Sequence, residues 1–133
     1  MLPEQIIERG TLRAADGRIS VSVRMPWYRA LPLSSIAAVR MNVDGIELPS
    51  EDLVWQTTDG DRYRLDELPA RHDRWWFVLD SATLEGPMPD ISDVADHEVQ
   101  VAIGLYIPYV PSAQGPPLLI ENDRKTMTLE QAA

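Results

Sequence analysis

Glu98-Val99-Gln100-Val101-Ala102-Ile103-Gly104-Leu105-Tyr106-Ile107 places an apolar side chain at every second position. Val99, Val101, Ile103, Leu105 and Ile107 fall on one face, and Glu98, Gln100, Ala102, Gly104 and Tyr106 on the other. A period of two belongs to a strand with one dry and one wet face. The same alternation appears at Ile19, Val21, Val23 and Met25 among Arg18, Ser20, Ser22 and Arg24. It recurs at Ala37, Val39, Met41 and Val43, a run that ends in Asp44-Gly45. Both of those residues tolerate positive φ, so a two-residue hairpin is expected, with Ile46-Glu47-Leu48 returning antiparallel. Leu53–Thr57 and Arg62–Leu65 flank Thr58-Asp59-Gly60-Asp61, which reads as a second hairpin tip. Arg74–Asp80 and Leu118–Thr128 bring the expected total to roughly eight short strands.

Helical periodicity is poor throughout. Leu33-Ser34-Ser35-Ile36 and Asp66-Glu67-Leu68 suggest only single turns, and the 11 prolines and 7 glycines fall mostly between strand segments. The pattern predicts an all-β fold, an antiparallel β-sandwich of jelly-roll or Ig-like type. The 133 residues suit one domain spanning 1–133, with a less ordered tail from about residue 125. Two long loops are expected: Ser81–Asp96, which is acidic, and Pro108–Pro117, which is proline-rich.

The net charge is −9, unevenly spread, since residues 75–123 contain eight acids and no lysine or arginine. Such a surface repels phosphate, so neither nucleic acid nor an anionic membrane is an expected partner. The chain has no cysteine, which removes disulfides and thiolate chemistry and fits a reducing cytoplasm. Met1-Leu2-Pro3-Glu4-Gln5 has no basic region and no apolar run, so no signal peptide is expected. No segment approaches the ~20 apolar residues of a membrane span. The expected location is cytoplasmic.

Catalytic groups are scarce. Of the two histidines, His72 sits among charges in Arg71-His72-Asp73-Arg74 and reads as a solvated loop residue. His97, with Asp93 or Asp96, is a thin metal candidate, because a site needs three or four converging ligands. Asp90, Asp93 and Asp96 are spaced by three with no glycine among them, which is not a calcium-loop pattern. Nucleophile-elbow and nucleotide-cradle motifs are absent from the sequence. No metal and no catalytic residue is therefore assigned to this chain.

Two clusters stand out instead. Arg24-Met25-Pro26-Trp27-Tyr28-Arg29 leaves a strand for a loop, and Arg74-Trp75-Trp76-Phe77 lies on or near another strand. Rings interleaved with guanidinium groups are what interface centres favour. On a strand, Trp75 and Phe77 share a face and Trp76 takes the other. Arg24, Trp27, Tyr28, Arg29, Arg74, Trp75 and Trp76 are the candidate residues for binding a partner or lining a substrate mouth. A stand-alone carbohydrate- or polyphenol-binding module, stacking its ligand on Trp27, Trp75 and Trp76, is the alternative. A metal-dependent enzyme centred on His97 and Asp96 is a third.

The ordered set of these segments resembles a known family. Val21-Ser22-Val23-Arg24-Met25-Pro26-Trp27-Tyr28-Arg29-Ala30-Leu31-Pro32-Leu33-Ser34-Ser35-Ile36 is similar to a segment of the small β subunits of bacterial C-glycoside deglycosidases. Val43-Asp44-Gly45, Tyr63-Arg64-Leu65-Asp66-Glu67-Leu68, Arg74-Trp75, His97-Glu98-Val99-Gln100-Val101 and Tyr106-Ile107-Pro108-Tyr109 follow in the same order. The likeness covers roughly residues 5–111 but does not extend to Trp76 or to Glu85–Asp96. It implies a non-catalytic subunit of a carbon–carbon lyase, paired with a larger (β/α)8-barrel α subunit, in a complex that can be a higher-order heteromer. The pair would cleave the bond between a 3-oxo-sugar and a flavonoid or anthraquinone-type aglycone by elimination. The divalent metal, typically manganese, and the general-base histidine would belong to the α subunit, with the C-glycoside bound at a shared site.

Overall fold

The structure, a computed structural model, describes residues 6–27, 29–88, 96–107, 115 and 117–129. It contains eleven strands: β1 (Arg13–Ala15), β2 (Arg18–Arg24), β3 (Leu31–Pro32), β4 (Ile36–Val43), β5 (Ile46–Glu47), β6 (Val54–Gln56), β7 (Arg62–Arg64), β8 (Trp75–Trp76), β9 (Ser81–Pro87), β10 (His97–Tyr106) and β11 (Leu118–Met127). All pairings are antiparallel. One sheet runs β1-β2-β9-β6-β7 and a second β11-β10-β4-β5, with β3-β8 as a small third. Inward residues of the two large sheets, among them Val21, Val23, Leu84, Met41, Val101 and Ile103, form one buried cluster. The fold is an all-β sandwich. Each fully buried aliphatic side chain contributes about 1.5–3 kcal/mol, which is what drives the two sheets together.

Alternation decides most of it. β10 buries Val99, Val101, Ile103 and Leu105, and it lies between β4 and β11 because that dry face is the most continuous one in the chain. Asp44 (φ 53°) and Gly45 (φ 82°) turn β4 into β5, and β6–β7 close around the Thr57–Asp61 tip. Short 3₁₀ turns at Leu33–Ser35 and Leu65–Ala70 occupy the two positions where the sequence suggested single turns.

The Ser81–Asp96 loop expectation is overturned over its first half. Ser81–Pro87 is strand β9, paired with both β2 and β6 in the five-stranded sheet. Its period of two is real but muted, since the buried positions are Ala82, Leu84 and Gly86. Gly86 is small of necessity, because a Cβ there would meet Leu48 Cδ1 at 2.7 Å and Leu53 Cδ2 at 2.8 Å. Residues 89–95, which include Asp90 and Asp93, lie outside the described residues, as do 108–114 of the proline-rich loop. The expected strand at Arg74–Asp80 shrinks to Trp75–Trp76, because Asp80 N–H donates to Phe77 O (3.0 Å) and turns the chain. β11 runs on to Met127, beyond the point near 125 where a tail was expected. Among the described residues no helix is long and apolar enough to cross a membrane.

Polar links fasten the two sheets along their sides. Ile7 bridges to Val23, and its N–H donates to Asp123 Oδ2 (2.7 Å) on β11. Lys125 Nζ donates to the same oxygen, and both side chains are buried. Glu85 joins three strands through Arg18 and Arg62. Burial pushes the Glu85 carboxyl up, but its hydrogen bonds to the two guanidinium groups outweigh that and hold it below the ordinary range.

Asp44 does more than shape its turn. Its carboxylate bonds His97 Nδ1 (2.6 Å) and accepts from Glu98 N–H (2.9 Å). The bond to His97 holds the Asp44 carboxyl below its ordinary pKa. A lowered folded pKa stabilises only the ionised form, so the contribution is complete above about pH 4 and fades as the pH falls further. Asp44→Ala should cost about 1 kcal/mol at neutral pH. Urea denaturation should show a smaller gap between variant and wild type at pH 3, below the ordinary aspartate pKa, than at neutral pH. An equal gap at both pH values would mean that ionisation of Asp44 is irrelevant to the hairpin.

Candidate functional site

β3 and β8 explain how the two aromatic clusters relate. Leu31 pairs with Trp76 and Pro32 with Trp75, and Leu33 N–H donates to Arg74 O (2.8 Å). The loop that carries Trp27 and Arg29 therefore runs into a strand held directly against Trp75-Trp76. Proline is tolerated in β3 because a two-residue edge strand needs few donors.

The alternation expected at Trp75-Trp76-Phe77 is present. Trp76 is buried (3% exposed), whereas Trp75 (49%) and Phe77 (54%) are exposed. The Trp76 indole N–H donates to Asp80 O (3.0 Å), and its ring meets that of Trp55 edge to face, centroids 4.8 Å apart. Such a pair adds about 0.5–1.5 kcal/mol to area burial. Trp76 is thus the anchor, and Trp75 and Phe77 are the rings it presents. Leu79, 82% exposed, extends the apolar patch.

Arg74 is not a spare guanidinium. It donates to both Asp59 oxygens at 2.7 Å and lies 2.7 Å from Asp61 Oδ2, clamping the β6–β7 tip to the segment before Trp75. The Thr57 hydroxyl and then Arg74 hold the Asp59 carboxyl below its ordinary pKa, and Asp59 raises that of Arg74. The clamp is therefore fully formed at neutral pH and weakens as acid protonates Asp59. Thr58 Oγ1 adds a bond to Ser81 O (2.8 Å). Sequence alone marked Asp59-Gly60 only as a turn; nothing in a one-dimensional reading pairs Asp59 with an arginine on a separate segment.

Between the Thr57–Asp61 tip and the Trp75–Phe77 segment lies a groove of about 570 Å³. Trp55, Trp75, Trp76 and Phe77 give it aromatic walls, with Asp59 and Asp80 also lining it. The volume is in the range of small-molecule sites. Trp55 is fully buried, and its indole N–H finds no acceptor among the described residues. A buried donor left in this way costs about 1–3 kcal/mol.

The remaining candidates divide. Arg24 is exposed, 3.4 Å from Glu8, and sits across from Ser81, next to Asp80 of the groove. Trp27 is half-buried against the core, Arg29 is exposed, and Tyr28 lies outside the described residues. His72 is exposed, as its charged neighbours implied. His97 is buried and held by Asp44, and among the described residues no three His, Asp or Glu side chains gather in a metal-binding arrangement.

The family model for the C-glycoside deglycosidase beta subunit matches residues 6–109, which include both aromatic clusters and the clamp. The chain belongs to that family. It is 45% identical over 131 residues to the C-glycoside deglycosidase beta subunit of Arthrobacter globiformis, covering 98% of this chain and 99% of the relative. Identity to the namesake subunit of Microbacterium trichothecenolyticum is 44%, covering 100% and 99%. A 3'-dehydrocarminate deglycosidase beta subunit from a Microbacterium species is 38% identical, with 98% of each chain covered. An exposed aromatic hook, Trp75 and Phe77, braced by a bidentate clamp is a feature suited to contact.

Proposed function

We propose that the chain is the non-catalytic β subunit of a heteromeric C-glycoside deglycosidase, and that its Trp75–Phe77 end meets a (β/α)8-barrel α subunit at the mouth of the active site. The observation that carries this reading is the pair of exposed rings, Trp75 and Phe77, held rigid by buried Trp76 and the Arg74 clamp. Rigid aromatics beside arginines supply contact area at little entropic cost. Arg24, Trp27 and Arg29 would extend the contact on the same side.

The reaction assigned to the complex is elimination from a 3-oxo-sugar joined through carbon to a flavonoid or anthraquinone-type aglycone. One relative is itself named for a 3'-dehydro compound. A base on the α subunit removes the proton beside the keto group, and the electron pair forms a carbon–carbon double bond. The aglycone carbon leaves with the electrons of the broken bond and takes up a proton. A divalent metal of the α subunit, manganese by family resemblance, would supply Lewis acidity to the enolate. The β chain contributes no proton transfer; it stabilises the barrel and excludes water at the mouth. A cytoplasmic setting suits a cysteine-free chain.

Co-expression with the α subunit of a C-glycoside deglycosidase tests this. The two should co-elute from a sizing column and cleave a 3-oxo-C-glycoside together. Replacing both Trp75 and Phe77 by Ala should lower complex yield about tenfold or more while the circular dichroism of the isolated chain stays unchanged. Separate elution of the wild-type proteins would end the proposal.

A further inference from the structure

We propose that the open edge of β11 pairs with β11 of a second copy of this chain, antiparallel about a two-fold axis at Ile120, so that the backbones of Leu118–Asn122 join two sheets into one. The inference does not depend on the subunit reading above.

β11 stands at the end of its sheet, and its outward backbone groups can be assigned residue by residue. Asp44 N–H donates to Glu98 O (2.8 Å), so Glu98 turns its backbone groups toward β4. Alternation then turns Val99, Val101, Ile103 and Leu105 toward β11, opposite Lys125, Asp123, Glu121 and Leu119. Leu118, Ile120, Asn122, Arg124 and Thr126 are left facing the open edge. Part of that edge is blunted, because Arg124 N–H is already given to Asp123 Oδ1 (2.8 Å) within the charged run Asp123-Arg124-Lys125. On the other side Pro116-Pro117 has no N–H to give. Between these limits Leu118–Asn122 keeps an unbroken register with β10. Leu118 and Ile120 are exposed there, with exposed Tyr106 directly opposite Leu118.

Charge selects both the occupant and the register. A two-fold axis at Glu121 or Asp123 would set that acid against its own copy, and one at Asn122 would set Glu121 against Asp123. With the axis at Ile120, Glu121 faces Leu119, Asp123 faces Pro117, Leu118 faces Asn122 and Ile120 faces itself. No like charges meet, and apolar side chains share the seam. A stretch that is complementary to itself in this way fits the isologous contact of a symmetric dimer.

Sedimentation velocity of the full-length chain from about 5 to 500 µM should show a reversible shift from the 15.0 kDa monomer toward the dimer. Ile120→Lys and Ile120→Glu should each weaken association about tenfold or more. Mixing the two variants should restore it, because only this axis sets residue 120 against itself. In this cysteine-free chain, Ile120→Cys should cross-link into a dimer under air oxidation. Opposed hydrogen-bonded residues have Cα atoms about 5.5 Å apart, within disulfide reach. Thr126→Cys, exposed on the same edge but outside the paired stretch, should stay monomeric. A chain monomeric throughout, a dimer indifferent to Ile120→Lys, or equal cross-linking at 120 and 126 would each overturn the proposal. So would a monomer that loses co-elution with the α subunit in Ile120→Lys, which would make this edge an α-subunit contact. A dimer formed by a chain that never co-elutes with the α subunit sustains the pairing and refutes only the subunit reading.

Discussion

Asp123→Ala should destabilise the isolated chain by about 3–5 kcal/mol, enough to erase much of a small domain's stability. Asp123 accepts from the Ile7 amide and from buried Lys125, so its loss removes a hydrogen bond to the N-terminal segment and strips a buried ammonium of its carboxylate. Asp123→Asn should be milder for the Ile7 amide, which keeps an acceptor, but not for Lys125. The double variant Asp123→Ala with Lys125→Met should regain part of the loss, because a buried ion pair exchanged whole for apolar groups is often neutral. Urea denaturation at neutral pH measures all three. A cost below about 1 kcal/mol for the single alanine variant would show that the link between β11 and the N-terminal segment is incidental.

Trp76→Ala should cost about 3–5 kcal/mol, in the range for deleting a buried aromatic side chain. The loss has three parts: the buried area, the edge-to-face contact with Trp55, and the bond that lets Asp80 O fix the turn behind Phe77. Trp76→Phe separates them, since it keeps most of the packing and forfeits the hydrogen bond, worth about 1 kcal/mol. The alanine variant should also lose α-subunit binding before global unfolding, because Trp75 and Phe77 are positioned by that anchor. Denaturation and co-elution of one preparation decide it. Intact co-elution despite the lost stability would place the contact elsewhere.

Where the sequence speaks through large alternating side chains, it speaks clearly. β10, β2 and, from Val39 on, β4 were legible because Val, Ile, Leu and Met mark the dry face, whereas β11 buries Asp123, Lys125 and Met127 and leaves Leu118 and Ile120 exposed; both hairpin tips announced themselves by Asp-Gly. β9 was hidden because its inner positions are Ala82 and Gly86 around a single Leu84, a choice dictated by Leu48 and Leu53 across the core. Both aromatic clusters were visible as composition, and so was the opposed facing of Trp75 and Trp76. Their meeting through β3 and β8, and the capture of Arg74 by Asp59 and Asp61, depend on which segments the sandwich brings together. Likewise His97 looked available in one dimension and is occupied by Asp44 in three.

The bond between Ile7 and Asp123 ties together residues 116 positions apart. Loop closure on that scale is entropically costly and tends to slow folding. During translation β2 stays flanked on one side only until β9 emerges, β4 until β10 does, and the Ile7 amide must wait for Asp123 on β11. That interval of exposed edges is when nascent chains are vulnerable to aggregation, so slower translation of the last strands should lower the yield of native protein.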